Sequence, residues 1–204
     1  MGFYSQRIVP WLCDFSLDRP LVTRYRRELL AQADGNILEI GFGTGLNLAC
    51  YPEPVRKITI VDPNPGMHRR AQQRVAETGM AVDQRVISGE QLPFDDGAFD
   101  CVVSTFTLCS IPDVSQALRE VHRVLKTPGK FLFLEHGLSP DRKVQKWQRR
   151  LNWLQMRLAD GCRLDRDMRA LITALPFVSV TMDGFYLENT ARTHGYMYRG
   201  TAIR

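Results

Sequence analysis

The sequence predicts an α/β fold built on a mainly parallel sheet, and three observations carry that prediction. Short β-rich runs alternate with longer amphipathic segments, the pattern of strands joined by crossover helices. Two of these runs are almost continuously apolar, as strands covered on both faces must be. The last two runs follow each other without a helix between them, which predicts a hairpin-like edge.

In chain order, residues 1–35 read as a helical cap interrupted at Pro10 and Pro20. Strands are expected from Asn36 to Ile40, Lys57 to Val61, Gln84 to Ile87, Asp100 to Ser104 and Lys130 to Leu134, each bounded by turn residues. Helices fill the gaps from Gly66 to Glu77, Val114 to Leu125, and Arg142 to about Ala159. In the last of these, Val144, Trp147, Leu151, Leu154 and Leu158 form an apolar stripe beside the basic residues Arg142, Lys143, Lys146, Arg149 and Arg150. Such a stripe is expected to pack into its own domain and cover a substrate, although a basic amphipathic helix also suits an anionic lipid surface. A short helix from Arg166 to Leu175 and strands from Phe177 to Met182 and Gly195 to Ala202 complete the chain.

Composition excludes several classes. No apolar run is long enough for a secretory signal or an integral membrane segment, and Gln6 stands where a myristoylation signal needs Ser or Thr, so cytoplasmic residence is expected. The net charge of +5 is modest, and no nucleic-acid partner is expected. Cys13, Cys50, Cys101, Cys109 and Cys162 are scattered without a Cys-x-x-Cys pair, which argues against a disulfide framework or a zinc site. His68, His122, His136 and His194 lie equally far apart, and all but His136 read as ordinary histidines.

Gly41-Phe42-Gly43-Thr44-Gly45 directly follows the first strand and is expected to open a helix, a context in which glycines let backbone approach a nucleotide closely. A dinucleotide fingerprint would need glycine where Leu46 stands, so NAD is disfavoured. Asp62 ends the second strand 21 residues after Gly41, where a carboxylate can accept hydrogen bonds from ribose hydroxyls or cap the turn Asp62-Pro63-Asn64-Pro65.

Glu39-Ile40-Gly41-Phe42-Gly43-Thr44-Gly45 resembles the first motif of class I methyltransferases that use S-adenosylmethionine (AdoMet). Gly89-Glu90-Gln91-Leu92-Pro93-Phe94 is similar to the family's adenine-side segment, and Phe99 to Thr105 to its fourth strand. The resemblance covers roughly residues 36–135, within the group related to ubiquinone and menaquinone methyltransferases. It implies a Rossmann-like, mainly parallel seven-stranded sheet with an antiparallel C-terminal strand and helices on both faces. It also implies one domain over 1–204, comprising the cap, an AdoMet-binding core over 36–135, and a substrate-side helix with C-terminal strands over 136–204. Its cofactor residues map to Glu39, Gly41, Phe42, Gly43 and Gly45, then to Asp62, Pro63, Asn64 and Met67. Gly89, Glu90 and Gln91 follow, with Ser104, Thr105 and Phe106 at the carboxyl end of the fourth strand.

A narrower likeness joins Ser104 to Ser110, Glu135-His136, Asp160 to Arg166 and Gly200-Thr201-Ala202 to the methyltransferase-like thiol S-methyltransferases and their bacterial relatives. It implies a small-molecule methyl acceptor, with Glu135 and His136 as acid–base candidates. Cys109 and Cys162 are more simply read as small packing residues. The alternatives are N-methylation of a lipid amine, with peripheral contact to an anionic membrane surface, and a non-catalytic AdoMet-binding scaffold. Methylation of DNA amino groups is disfavoured, because Ser104-Thr105-Phe106-Thr107 replaces the Asp/Asn-Pro-Pro-aromatic pattern of that chemistry.

Overall fold

The computed structural model describes residues 2–204; Met1 and the side chain of His68, read above as an ordinary histidine, lie outside the described residues. After a short π-helical turn at Tyr4–Ile8, α1 spans Val9–Leu17 and α2 Pro20–Leu30. Pro10 and Pro20 sit in the first turns of these helices, where a missing N–H costs nothing, so the cap is divided at both prolines and each one lies at the start of the next helix. The rest of the chain gives β1 (Ile37–Ile40), β2 (Lys57–Val61), α3 (Pro65–Thr78), β3 (Ala81–Arg85), β4 (Phe99–Thr105) and α4 (Val114–Val124). It continues with β5 (Leu125–His136), α5 (Arg142–Leu158), α6 (Met168–Thr173), β6 (Ser179–Tyr186) and β7 (Tyr196–Ile203).

The strands form one seven-stranded sheet in the order β3-β2-β1-β4-β5-β7-β6. All pairings among β1 to β5 are parallel, and β7 runs antiparallel to both β5 and β6. One face carries Val22, Leu29 and Leu30 of α2 and Ala71 of α3. The other carries Ala117, Leu118 and Val121 of α4 and Met168 and Ile172 of α6. Strand order reverses between β1 and β4, the switch point at which open α/β sheets place ligands.

Beyond shifts in element ends, three expectations are corrected. The third strand lies at Ala81–Arg85, not Gln84 to Ile87: Gly79, left-handed at φ 63°, ends α3 and lets the chain pair at once with Lys57–Val61. As an edge strand it is only half-buried, so its apolar content is a poor guide to its position, and Val86 is 56% exposed.

The glycine loop does not open an α-helix. Leu48–Cys50 makes only a 3₁₀ turn, because Pro52 pushes Tyr51 into extended backbone (φ −66°, ψ 144°).

Most of the apolar stripe of α5 is not packed inward: Val144 is buried and Leu151 half-buried, but Trp147, Leu154 and Leu158 are exposed. The buried residues of α5 are Val144, Gln148 and Asn152. Gln148 accepts from the Ser139 amide at 3.0 Å and donates to the Gly137 and Thr193 carbonyls, while Asn152 accepts from the Leu164 amide at 2.9 Å. Hydrogen bonding to loop backbone therefore orients this helix, leaving Trp147, Leu154 and Leu158 exposed.

Candidate active site

A cavity of about 420 Å³ opens at the carboxyl ends of β1, β2 and β4, under the cap. Its floor is the loop after β1. Gly41 (φ 71°), Gly43 (φ 56°) and Gly45 (φ 82°) all occupy the left-handed region that favours glycine. A Cβ on Gly41 would collide with the Thr107 side chain, whereas one on Gly43 would meet no protein atom nearer than 4.0 Å. Gly43 thus holds open space for a ligand to approach the backbone.

Asp62 follows β2 and is buried. Its Oδ2 accepts from the Gly43 amide and its Oδ1 from the Asn64 amide, each at 2.8 Å. The carboxylate ties the ends of β1 and β2 together and lines the cavity. Asn64 caps α3 through the Gly66 amide at 2.9 Å and donates to the Ser5 carbonyl of the cap at 2.8 Å.

Beneath the loop, Glu39 accepts from Asn47 Nδ2 at 2.9 Å and from the Tyr51 hydroxyl at 2.7 Å. Burial pushes its pKa up to about 7 against these hydrogen bonds. Arg26 of α2 reaches in from the cap and donates to Asn47 Oδ1 at 2.7 Å and Thr105 Oγ1 at 2.8 Å. Its guanidinium lies over the Phe106 ring, 5.1 Å from the centroid. Arg26 Nε is buried and has no hydrogen-bond partner among the described residues. An orphaned cationic donor on a cavity wall fits an anionic ligand group, because leaving it unpaired is costly.

The end of β4 is held in a strained shape. Phe106 has φ 54°, uncommon for any residue but glycine. Glu135 fixes it: the carboxylate accepts from Ser104 Oγ at 2.7 Å and from the Thr107 amide at 2.9 and 3.1 Å. Thr107 Oγ1 in turn donates to the Gly41 carbonyl at 3.2 Å, coupling the two loops. Glu135 is fully buried, and burial raises its pKa to about 7.

Of the predicted cofactor residues, Gly41, Phe42, Gly43, Asp62, Pro63, Asn64, Met67, Gly89, Glu90, Thr105 and Phe106 line this cavity. Glu39 and Gly45 stand behind its wall, Ser104 lies beneath in the Glu135 network, and Gln91 is exposed outside it. Glu135 and His136 do not line the cavity. His136 Nε2 lies instead 3.4 Å from Cys162 Sγ. Burial alone would lower the pKa of His136, but the adjoining Cys162 sulfur leaves it above the ordinary value.

Sequence reasoning missed Arg26, Asn47, Thr107 and the cap residues Val9, Cys13 and Leu17, all of which line the cavity. The cap is fastened across it. Asp14 pairs with Arg70 and, at 3.2 Å, with Arg74 of α3, and accepts from Thr44 Oγ1 at 2.5 Å. On the other side the Tyr4 hydroxyl donates to the Leu158 carbonyl at 2.6 Å and Ser5 Oγ to Asp160 at 2.8 Å.

Residues 38–133 match the family described as "Methyltransferase domain". Thiol S-methyltransferase TMT1B of Rattus norvegicus is 35% identical over 170 residues, covering 78% of this chain and 69% of that protein. Thiol S-methyltransferase TMT1A of Homo sapiens is 38% identical over 136 residues, 65% of this chain and 55% of that protein. The UbiE ubiquinone/menaquinone C-methyltransferase of Rubrivivax gelatinosus is 38% identical over 125 residues, 61% of this chain and 48% of that protein. Among solved structures, a possible histamine N-methyltransferase from Thermotoga maritima superimposes with a TM-score of 0.68 at 18% identity, covering 98% of this chain and 97% of that one. With a glycine loop on the carboxyl edge of this sheet, an acid after β2 and these relatives, the chain belongs to the AdoMet-dependent methyltransferases, in the group that includes the TMT1 proteins.

Proposed function

We propose that this enzyme methylates the sulfur of a small, uncharged thiol. The observation that supports this reading is the mixed lining of its cavity. Arg26, Asn47, Asp62 and Asn64 offer polar groups to the donor, while Val9, Leu17, Ile111 and Pro112 offer an apolar wall to an acceptor. The similarity to thiol S-methyltransferases points the same way.

Bound there, AdoMet supplies an electrophilic methyl group on a sulfonium. The Arg26 guanidinium would hold the donor's carboxylate, and the Asp62 carboxylate would face the ribose hydroxyls. Glu135 is a positioning residue: through the Thr107 amide it holds Phe106 and Thr107 against the cavity. Catalysis then rests largely on holding the acceptor in line with the methyl group, and the acceptor's own ionisation supplies the nucleophile. Cys13, the cavity's own thiol, stays protonated because burial raises its pKa to about 11, so it does not compete as a methyl acceptor.

The test is a panel of small thiols, amines, phenols and phospholipids incubated with labelled AdoMet. Thiol methylation that accelerates as pH approaches the thiol pKa supports the reading; label passing only to a phospholipid amine overturns it.

A second reading has its own observation. Phe3, Trp11 and Phe15 of the cap segment and Trp147, Trp153 and Leu158 of α5 are more than half exposed, and the Tyr4–Leu158 hydrogen bond joins the two elements next to Ala159 and Asp160, which line the cavity. Six basic residues of α5, Arg142, Lys143, Lys146, Arg149, Arg150 and Arg157, share that helix. Exposed aromatics with basic neighbours suit an anionic lipid surface, from which an apolar thiol or a lipid amine could enter.

A further inference from the structure

Behind the acceptor wall, three residues distant in sequence converge. Cys109 lies in the turn after β4, His136 ends β5, and Cys162 follows α5. Cys162 Sγ stands 3.5 Å from Cys109 Sγ and 3.4 Å from His136 Nε2, and the three candidate ligand atoms all lie within 4.8 Å of one another. Cys109 and His136 are 2% and 7% exposed, and Cys162 is half-buried.

We propose that Cys109, His136 and Cys162 bind a zinc ion. Two sulfurs and one imidazole nitrogen are the donor set that a thiophilic ion selects. Metal bonds of about 2.3 Å to sulfur and about 2.0–2.1 Å to nitrogen, at tetrahedral angles, place sulfurs about 3.8 Å apart and sulfur about 3.6 Å from nitrogen. The observed separations of 3.5 and 3.4 Å about Cys162 are a few tenths of an ångström inside those values, and the Cys109–His136 separation is within 4.8 Å, so side-chain adjustment would bring all three atoms to one ion. Two thiolates neutralise the ion, and a three-ligand site leaves the fourth position to a water or another small ligand.

The ligands are carried on anchored backbone. His136 is paired with Met197 in the sheet, the Arg163 amide donates to the Cys109 carbonyl at 3.0 Å, and the Cys162 amide donates to the Ala159 carbonyl at 3.0 Å. Polar groups already face both sulfurs: Gln155 Nε2 is 3.6 Å from Cys162 Sγ, and Ser110 Oγ is 3.6 Å from Cys109 Sγ. Such outer contacts orient thiolate ligands. Ser110, Ala159 and Asp160 line the cavity beside this cluster, so the ion would join two segments of the acceptor wall.

The test uses the full chain, purified under reducing conditions, stripped with a chelator and titrated with Co²⁺ and then Zn²⁺. One equivalent of Co²⁺ should give a thiolate-to-cobalt charge-transfer band and tetrahedral d–d bands, both bleached by Zn²⁺. Cys109→Ser and Cys162→Ser should each weaken binding roughly tenfold or more, while Cys13→Ser should not. Should the variants fail to fold, zinc protection of Cys109 and Cys162, but not Cys13, from alkylation of the parent protein decides by mass spectrometry. No metal uptake by the reduced parent, or unchanged uptake by a folded Cys109→Ser/Cys162→Ser variant, overturns the proposal. So does a Cys109–Cys162 disulfide forming in air in a protein that takes no metal once reduced.

Discussion

The amide of Gly43 donates to Oδ2 of Asp62 at 2.8 Å, so the acid after β2 holds the floor of the donor pocket as well as facing it. Replacing Asp62 with Ala removes that anchor together with the proposed ribose contacts. AdoMet affinity should fall by about 1–3 kcal/mol while the fold persists, as calorimetry and circular dichroism together would show. Unchanged affinity in the folded variant would leave Asp62 a turn residue only.

Arg26 makes a prediction that distinguishes parts of the donor. Arg26→Gln should weaken S-adenosylhomocysteine binding by roughly tenfold to a hundredfold, because a buried cation no longer meets the carboxylate. Methylthioadenosine, which lacks the carboxylate, should lose much less. Equal losses for both ligands would reduce Arg26 to a support for Asn47 and Thr105.

Two glycines of one loop should respond differently to alanine. At Gly41 the new methyl group collides with Thr107, so Gly41→Ala should lower the melting temperature. At Gly43 it enters the cavity, so Gly43→Ala should cost only about 1 kcal/mol of backbone strain yet weaken AdoMet binding strongly. Thermal melts with and without ligand separate the two effects; matching stability losses would show that Gly43 does not face the ligand.

Glu39 gives the protein a pH dependence of defined sign. Its pKa is raised from 4.5 to about 7 by burial, so the folded chain holds a proton that the unfolded chain releases between those values. The associated stability is fully present below about pH 4.5 and is lost as pH rises through about 7. Glu39→Gln should therefore gain on the parent by at most about 3 kcal/mol between acid and neutral pH, with the Tyr51 hydroxyl free to turn and accept from the new amide. Denaturant titrations of both proteins at about pH 5 and about pH 8 measure the gain; parallel curves would mean that Glu39 is ionised throughout.

The exposed face of α5 is tested with vesicles. Trp147→Ala/Trp153→Ala should reduce sedimentation with anionic vesicles several-fold, and raised salt should reduce it for the parent. Co-sedimentation unaffected by either change would remove the lipid reading.

The glycine loop, Asp62 and the buried strands were legible because each depends on local chemistry: a backbone conformation, a strand end, an apolar run. Arg26 and Asn47 were not, since their importance comes from meeting Thr105 across 79 and 58 residues of chain. The Cys109–His136–Cys162 cluster escaped for the same reason, Cys162 lying 26 residues from His136 and 53 from Cys109 with no motif spacing. The α5 stripe misled for another reason. Hydrophobic periodicity identifies an amphipathic face but not its neighbour, and here Gln148 and Asn152 win the inward position by satisfying loop amides and carbonyls that would otherwise be buried unpaired.

Asp14 fastens the cap across the cavity through Arg70, Arg74 and Thr44, so a spent donor leaving past the cap would require those contacts to break. Dissolved ions compete for those charges, so release of S-adenosylhomocysteine should quicken with ionic strength even as the chemical step stays constant. An enzyme limited by that release would run faster in salt, up to the point where the cap no longer shelters the reacting groups from water.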